Sequence, residues 1–183
     1  MSGNPTIAIF PGTFDPITNG HIDIITRASR IFSNIIIAVA ENSPKNVLFS
    51  TEERLSMVRQ ATRNMRGVVV ERFTGLVVDF AASKQARVII RGLRMISDFE
   101  YEFQMALTNR NLNEQVETIF LMPHPQYSFV SSRLIKEAGA LGADLHAFLP
   151  SFVSEQLIEK LGVGGKGAAN HENKRSKPNK SRS

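Results

Sequence analysis

The sequence predicts an α/β fold: a single doubly wound domain whose five-stranded parallel sheet has the order 3-2-1-4-5, with helices on both faces. Three observations lead to this fold class. Short apolar runs alternate along the chain with longer segments of helical periodicity, as in sheets whose strands are joined by crossover helices. These runs contain no charged residue, which is typical of strands covered on both faces. The chain has 183 residues, enough for one domain of this kind with a sizeable core.

Five apolar runs predict the strands, at residues 6–10, 35–40, 68–70, 88–90 and 118–122. The Pro11-Gly12 pair is expected to end the first of them. With right-handed connections, the order 3-2-1-4-5 makes the chain reverse direction beside strand 1. A ligand crevice then opens between the carboxyl ends of strands 1 and 4. We expect Thr13, His21, Arg91 and Gly92 to converge at this crevice although they are far apart in the sequence.

Helical periodicity and capping signals predict the segments between the strands. A helix opens at Gly20 and His21, and a capping box formed by Ser50 and Glu53 starts another that ends near Gly67. Further helices are predicted at 76–85, at 97–112, from 130–132 through Ala138, and at 152–161. In the 97–112 helix, the helical spacing is carried by Phe99, Phe103, Ala106 and Leu107.

The formal net charge of +5 is confined to one end of the chain. Residues 1–165 carry 16 basic and 16 acidic side chains, whereas residues 166–183 carry six basic residues and one acid. The last segment also has almost no apolar side chains, so we expect a domain at 1–162 and a basic disordered tail at 163–183. Weak contact of this tail with RNA or anionic surfaces is the alternative to a solvated extension.

The remaining composition favours a cytoplasmic enzyme. The chain contains no cysteine, which excludes disulfides, thiolate metal sites and a cysteine nucleophile. No apolar run approaches the roughly 20 residues that span a bilayer. The first residues show no basic segment followed by an apolar one, so no secretory signal is expected.

The loop after the first strand predicts a phosphate site. It reads PGTFDPITNGH and runs from the carboxyl end of a buried strand into a helix. Backbone N–H groups and the positive end of the helix dipole favour an anion at such a position. Thr13 and His21 lie in this loop, and the alternative for His21 is a purely structural helix cap.

Other candidate residues follow later strands, and each has a structural alternative. Lys45, after strand 2, would on sequence grounds alone be an ordinary solvated lysine. Arg91, at the end of strand 4, suits a bidentate phosphate contact, but Arg91 and Arg94 could instead pair with Asp98, Glu100 or Glu102. Gly92 allows close approach of a ligand. Ser131 and Ser132 open a helix after strand 5 and form either an anion site or a plain N-cap.

Several features are set aside. Residues 162–167 read GVGGKG, but they follow a helix rather than a strand, so they form a helix stop and linker instead of a dinucleotide site. No Walker A sequence is present. His124 and His146 are given no role, and no carboxylate cluster resembles a metal cage.

The loop and the later segments resemble a known family. The PGTFDP and TNGH stretches are similar to the signature of the T-x-G-H nucleotidyltransferases, which have a Rossmann-like fold. The segments RGLR at 91–94, DFEYE at 98–102, FLMP at 120–123 and YSFVSS at 127–132 extend the similarity to the bacterial phosphopantetheine adenylyltransferases. This resemblance covers residues 7–161. Arg133 departs from the family pattern, in which many members have a third small hydroxyl residue, and the tail after Gly162 lies outside it.

The resemblance implies an activity and an assembly. The family transfers AMP from ATP to 4'-phosphopantetheine, giving dephospho-coenzyme A and pyrophosphate in coenzyme A biosynthesis. It implies Mg²⁺ held mainly through the ATP phosphates, a cytoplasmic location and a homohexamer, with no membrane and no specific nucleic acid as partners.

The resemblance also implies site residues by position. The transition state would be stabilised by His21 and Lys45, with Thr13 nearby. Phosphopantetheine would be held by Thr13, Lys45, Val77 and Arg91. ATP would be held by Thr13, Phe14, His21, Gly92, Leu93, Arg94, Glu102, Tyr127, Ser128, Phe129, Val130, Ser131, Ser132 and Arg133.

Three alternatives remain open on sequence grounds. Another nucleotidyltransferase with the same loop, such as one acting on nicotinamide mononucleotide, is the runner-up. A nucleic-acid-binding protein would use the basic tail, and the neutral body argues against it. A non-catalytic nucleotide-binding protein would bind ATP but form no product.

Overall fold

Five parallel strands form one sheet in the predicted order. A computed structural model describes residues 6–41 and 47–163, and its sheet runs β3-β2-β1-β4-β5. The strands are β1 (Ile7–Gly12), β2 (Asn34–Ala40), β3 (Val68–Phe73), β4 (Val88–Gly92) and β5 (Glu117–Leu121). All four pairings are parallel, so the carboxyl ends of the strands share one edge, as predicted from the alternation of elements.

Helices cover both faces of the sheet. They are α1 (Asn19–Ala28), α2 (Thr51–Thr62), α3 (Val77–Ser83), α4 (Ile96–Leu112), α5 (Ser132–Ala140) and α6 (Ser151–Leu161), with a short 3₁₀ helix at Pro125–Tyr127 that the sequence did not predict. Alternate strand residues divide the core into two clusters. The larger joins β1, β2 and β4 to α1, α2, α5 and α6. The smaller joins the opposite sheet face to α3. This alternation follows from the two-residue period of a strand.

The expected end of β1 is wrong. Pro11 and Gly12 belong to the strand and pair with Ala38 and Val39 of β2. On its other side, β1 pairs with β4 only at Ala8 and Ile9. Proline lacks an N–H group but is tolerated here because the two strands have already separated. The predicted crevice between strands 1 and 4 therefore begins two residues before β1 ends.

The end of α2 also differs from the expectation. The helix ends at Thr62, and Gly67 lies beyond it with a left-handed φ of 72°. A Cβ atom at Gly67 would lie 2.1 Å from the Ser33 carbonyl oxygen, so the glycine is required by the turn into β3 rather than by a helix cap.

The apolar residues of α4 do not all face the sheet. Its buried residues are Glu102 and Asn109, and Ala106 is half-buried. Phe99, Phe103 and Leu107, which we call the α4 stripe, are 48%, 46% and 49% exposed. The helix was correctly predicted from this spacing, but its most apolar face points away from the core.

The last described helix ends as the sequence indicates. Gly162 follows α6 with a left-handed φ of 67°, which fits its predicted role as a helix stop. The predicted tail lies outside the described residues from Gly164 onward, so the 162/163 boundary stays a prediction. In the part of the chain that the structure describes, no helix is long and apolar enough to cross a membrane.

Candidate active site

The first loop is folded back onto the end of β1. Phe14 is 2% exposed and has an uncommon positive φ of 51°. Its ring packs edge-on against Phe10 and His21, with centroid distances of 5.7 and 5.2 Å. A Cβ atom at Gly12 would lie 2.8 Å from this ring, so a side chain there would displace the buried Phe14 ring. Because the Phe14 side chain points inward, the ATP contact predicted for this residue would use its main chain.

His21 is held in one orientation by the residue that caps its helix. Thr18 and His21 form a reciprocal capping box, in which His21 N–H donates to the Thr18 hydroxyl. The Thr18 N–H donates to His21 Nδ1 at 3.0 Å, and Thr18 Oγ1 lies 3.0 Å from the same nitrogen. Since Nδ1 accepts a hydrogen bond, the neutral ring carries its proton on Nε2. His21 can therefore donate a hydrogen bond from Nε2 to a ligand at the loop.

The surroundings of His21 keep it neutral. Burial, followed by the positive charges of Arg94 and Arg91, lowers its pKa from 6.5 to about 4. The imidazole is thus uncharged near neutral pH, and the charge in this region comes from the arginines.

This pKa predicts how His21 affects stability as the pH falls. Because its pKa is lower in the folded protein, the unfolded chain takes up the proton first. The contribution of neutral His21 is complete above about pH 6.5, the unfolded value, and is lost as the pH falls toward about 4. We expect the free energy of unfolding, measured in urea at several pH values, to fall more steeply with decreasing pH in the wild type than in His21→Gln. Parallel curves for the two proteins would contradict the low pKa.

Arg91 bridges the point at which β1 and β4 separate. Its Nε and Nη2 groups donate to the two carboxylate oxygens of Glu102 at 2.7 and 2.6 Å, and Nη1 donates to the Pro11 carbonyl at 3.1 Å. The ion-pair alternative from the sequence is therefore present in the structure. These bonds use three of the five guanidinium N–H groups, which leaves two to contact a phosphate.

Arg94 has a similar double attachment. It donates to the Asp98 carboxylate at 3.1 and 3.3 Å and to the Val130 carbonyl at 3.0 Å. It thereby joins the end of β4, the first turn of α4 and the connection after β5. A Cβ atom at neighbouring Gly92 would be 3.7 Å from Ile24, an ordinary contact, so the fold itself does not require a glycine there.

The connection from β5 to α5 brings the third group of predicted residues to the same edge. Ser131 caps α5 by accepting a hydrogen bond from Leu134 N–H at 3.1 Å, which is the structural alternative considered for it. The Ser132 hydroxyl donates to the Pro16 carbonyl of the first loop at 2.8 Å. The Arg133 side chain is 87% exposed and pairs with Glu137 of its own helix at 2.9 Å.

The structure brings several of the predicted site residues to the same edge of the sheet. Arg91 and Arg94 lower the pKa of His21. Arg91 at the end of β4 bonds to Pro11 of β1, and Ser132 at the start of α5 bonds to Pro16 of the first loop. Tyr127 lies against α1, because a Cβ atom at Gly20 would be 3.4 Å from the Tyr127 Cβ. Val77 begins α3 and packs with its neighbours against the smaller core cluster. Lys45 lies outside the described residues.

Three charged residues beside the loop were missed by the sequence analysis: Asp15, Arg54 and Lys136. Asp15 and Arg54 are 4% and 1% exposed. Arg54 donates to the Thr13 carbonyl at 2.7 Å. A signal for Arg54 existed, since it precedes the buried residues Val58 and Thr62 by four and eight positions on α2. The pairing of Lys136 with Asp15 joins positions 121 residues apart, and no local pattern encodes it.

Comparisons with known proteins identify the family of this chain. A family model described as cytidylyltransferase-like matches residues 9–138. A curated phosphopantetheine adenylyltransferase from Moorella thermoacetica is 50% identical over 156 residues, covering 85% of this chain and 98% of that protein. One from Caldanaerobacter subterraneus subsp. tengcongensis is 51% identical over 155 residues, covering 85% of this chain and 97% of that protein.

The fold has a solved neighbour at lower identity. The structure of a protein assigned as a nicotinate-nucleotide adenylyltransferase from Vibrio parahaemolyticus aligns with a TM-score of 0.65 and 21% identity, covering 86% of this chain and 95% of that one. This likeness supports the fold alone. Together the sheet, its first loop and the family match define a nucleotidyltransferase. Within that class, the chain belongs to the phosphopantetheine adenylyltransferase family.

Proposed function

We propose that this chain transfers the adenylyl group of ATP to the phosphate of 4'-phosphopantetheine, forming dephospho-coenzyme A and releasing pyrophosphate in coenzyme A biosynthesis. The observation that carries the proposal is the match at about half identity to enzymes of this name over nearly their whole length. The first loop supports it, since it presents a His21 donor beside two arginines at the binding edge.

The reaction needs no general base. The second pKa of a phosphate monoester is about 6, so the acceptor is largely dianionic at neutral pH. One of its oxygens attacks the α-phosphorus of ATP, the bond from that phosphorus to the bridging oxygen breaks, and pyrophosphate leaves. The enzyme must bring two anions together and stabilise the charge on the transferring group, so positioning and hydrogen-bond donors should dominate.

We assign roles to the residues on this basis. His21 donates from Nε2 to the α-phosphate as its charge develops, and Thr13 lies in the same loop. Arg91 holds the acceptor phosphate with its two remaining N–H groups, and Glu102 keeps its guanidinium plane in place. The resemblance adds Lys45 and Val77 as acceptor contacts. For ATP we propose the family positions Thr13, Phe14, His21, Gly92, Leu93, Arg94, Glu102, Tyr127, Ser128, Phe129, Val130, Ser131, Ser132 and Arg133.

Mg²⁺ is proposed to arrive on the ATP phosphates. Within residues 6–41 and 47–163, no three His, Cys, Asp or Glu side chains are placed to hold a metal ion together. The nearby carboxylates are engaged, Glu102 by Arg91 and Asp98 by Arg94. The donor set therefore suits phosphate oxygens rather than a cation, and Mg²⁺ bound to ATP and water would neutralise phosphate charge.

The decisive experiment measures pyrophosphate release. The protein is incubated with ATP and Mg²⁺ and with 4'-phosphopantetheine, nicotinate mononucleotide or nicotinamide mononucleotide as acceptor, and the products are identified by mass spectrometry. We expect dephospho-coenzyme A with the first acceptor and no adenylylated product with the others. Turnover of a mononucleotide, or ATP binding without any product, would overturn the proposed function.

Removal of residues 166–183 is expected to leave the fold and the turnover number essentially unchanged, because the excess positive charge lies in this segment and the body is neutral without it. Circular dichroism and steady-state kinetics of the truncated and full chains test this. The nucleic-acid alternative instead predicts salt-dependent RNA binding that disappears on truncation. A large loss of activity would contradict the tail's assignment as a dispensable extension.

We also propose that the chain assembles as a homohexamer, in which the α4 stripe packs against other copies of the chain. The resemblance supplies the number of subunits. The support from the structure is the stripe itself, whose Phe99 and Phe103 rings stack 5.6 Å apart on an exposed face. Apolar residues gathered on one exposed face are typical of a subunit interface.

The assembly predicts a result in sedimentation. The wild type should sediment at roughly six times the 20.3 kDa of one chain, and Phe103→Glu should shift it to smaller species. Ile31→Glu is the matched control, because Ile31 is 62% exposed but lies beyond the end of α1, away from the stripe. A stable and active wild-type monomer would rule out the hexamer.

A cytoplasmic location is proposed from the same resemblance. The substrates implied by the family are soluble phosphorylated metabolites, and the chain has no cysteine that an oxidising compartment could pair. Fractionation of the source cells with an antibody against the chain would locate it.

A further inference from the structure

A buried charged residue organises the backbone around the first loop. Arg54 of α2 is 1% exposed, and in the described part of the chain its guanidinium hydrogen-bonds to neither His21 nor the two site arginines. It donates to the carbonyls of Thr13, Ala40 and Phe49 at 2.7, 2.8 and 3.2 Å, and to the Thr51 hydroxyl at 3.0 Å. A single side chain thus ties the first loop to the end of β2 and the start of α2.

Asp15 completes this attachment from the other side. Its carboxylate accepts hydrogen bonds from Leu48 N–H at 3.0 Å and from Phe49 N–H at 2.9 Å. Phe49 is therefore held at both main-chain groups, by Asp15 at its N–H and by Arg54 at its carbonyl. Buried charges are retained only when they are compensated in this way, and the nearby Asp15 charge opposes the lowering of the Arg54 pKa by burial.

Lys136 connects the same carboxylate to α5. Its ammonium group donates to Asp15 Oδ2, and the Lys136 side chain is 23% exposed. One turn earlier on α5, the Ser132 hydroxyl donates to the Pro16 carbonyl. Two consecutive residues of the first loop therefore hold the N-terminal half of α5, whose first turn carries Ser131 and Ser132.

We propose that Asp15, Arg54 and Lys136 are positioning residues, and that Lys136 sets the N-terminus of α5 against the first loop for nucleotide binding. The inference rests on the proposed function for the identity of the nucleotide. His21 is oriented by the Thr18 capping box, and among the described residues no hydrogen bond joins Lys136 to this box. Arg91 is oriented by Glu102 and Pro11. Loss of Lys136 should therefore weaken ATP binding and leave the acceptor site and the chemical step nearly intact.

The test compares three single variants in the full-length protein. For Lys136→Met we expect the Kd for ATP, measured by calorimetry without acceptor, and the KM for ATP to rise about tenfold, because the α5 N-terminus loses its charge-assisted bond to the first loop. The kcat and the KM for phosphopantetheine should stay within about twofold. Lys136→Arg keeps the charge-assisted bond and should restore most of the ATP affinity. Lys160→Met is the matched control, since Lys160 also joins a helix to a distant part of the chain, by pairing with Glu53 of α2, but is 39% exposed.

Each outcome decides the proposal. Normal ATP affinity in folded Lys136→Met, or an equal rise in the KM values of both substrates, would overturn it. If Lys136→Met does not fold, Asp15→Asn/Lys136→Met removes the unpaired charge and must show the same selective loss. The calorimetric measurement of ATP binding does not depend on turnover. A wild type that binds ATP but forms no dephospho-coenzyme A would therefore refute the proposed function, and the effect of Lys136 on ATP binding could still be measured.

Discussion

Replacement of His21 by alanine is expected to lower kcat by on the order of 10²–10³, the effect of removing one preorganised donor to a developing negative charge. The KM values of both substrates should change little, because a contact made mainly in the transition state lowers kcat and kcat/KM together. The structure supplies the reason for this split. The ring is fixed by Thr18 and is neutral, so it donates a hydrogen bond from Nε2 without contributing a charge that would bind the ground state.

Steady-state kinetics with circular dichroism on each variant measure this effect. His146→Ala is the control, because His146 is exposed and, in the described part of the chain, only the main-chain carbonyls of its neighbours Ala147 and Phe148 bond to the first loop, at Asn19. His21→Asn gives a second comparison. The amide oxygen of the asparagine can accept the hydrogen bond from Thr18 N–H, but its amide nitrogen does not reach the position of His21 Nε2. If folded His21→Ala keeps a near-normal kcat, the first loop is not the catalytic centre and the roles assigned here are wrong.

The fold and the location of the site could be predicted because both depend on local patterns. Uncharged runs encode the strands, and the order 3-2-1-4-5 follows from right-handed connections once one loop is recognised as the binding loop. Strand pairing joins residues that are far apart in the sequence, so the predicted end of β1 was wrong. A proline usually indicates the end of a strand because it has no N–H group. Pro11 remains in β1 because β4 has already separated from β1 at this position.

The partners of the charged residues could not be predicted for the same reason. The sequence places Arg91 eleven residues from Glu102 and offers Asp98 and Glu100 as equal alternatives. The choice depends on which face of α4 meets the sheet, and that face carries Glu102 rather than the aromatic residues. Apolar spacing on α4 predicted the helix but not the face that meets the sheet, because the residues that carry the spacing, the α4 stripe, are about half exposed.

Two requirements meet at Arg91, one structural and one chemical. Its bidentate pair with Glu102 holds the guanidinium plane against β1, and both side chains are largely buried, at 27% and 11% exposed. The same charge lowers the pKa of His21 and would attract the acceptor phosphate. Loss of Arg91 should therefore affect stability and binding together, and the two effects must be separated by a second substitution.

Arg91→Ala is expected to raise the KM for phosphopantetheine by about 10- to 100-fold, the size expected from losing a charge-assisted contact worth about 1.5–3 kcal/mol. The KM for ATP should rise much less, because Arg94 and the α5 N-terminus remain in place. The variant should also lose stability on the order of 3 kcal/mol, because Glu102 is left without its partner. Arg91→Lys should rescue binding poorly, since an ammonium group lacks the planar fork.

The double variant Arg91→Ala/Glu102→Gln separates the two effects. Replacing the carboxylate by an amide removes the unpaired buried charge, so the free energy of unfolding should recover by a large part of the loss. The KM for phosphopantetheine should stay high, because the phosphate contact is still missing. Urea unfolding and steady-state kinetics on the wild type, both single variants and the double variant form a complete cycle. If the acceptor KM of Arg91→Ala is normal, or returns to normal in the double variant, Arg91 is only the structural partner of Glu102 and the acceptor phosphate is held elsewhere.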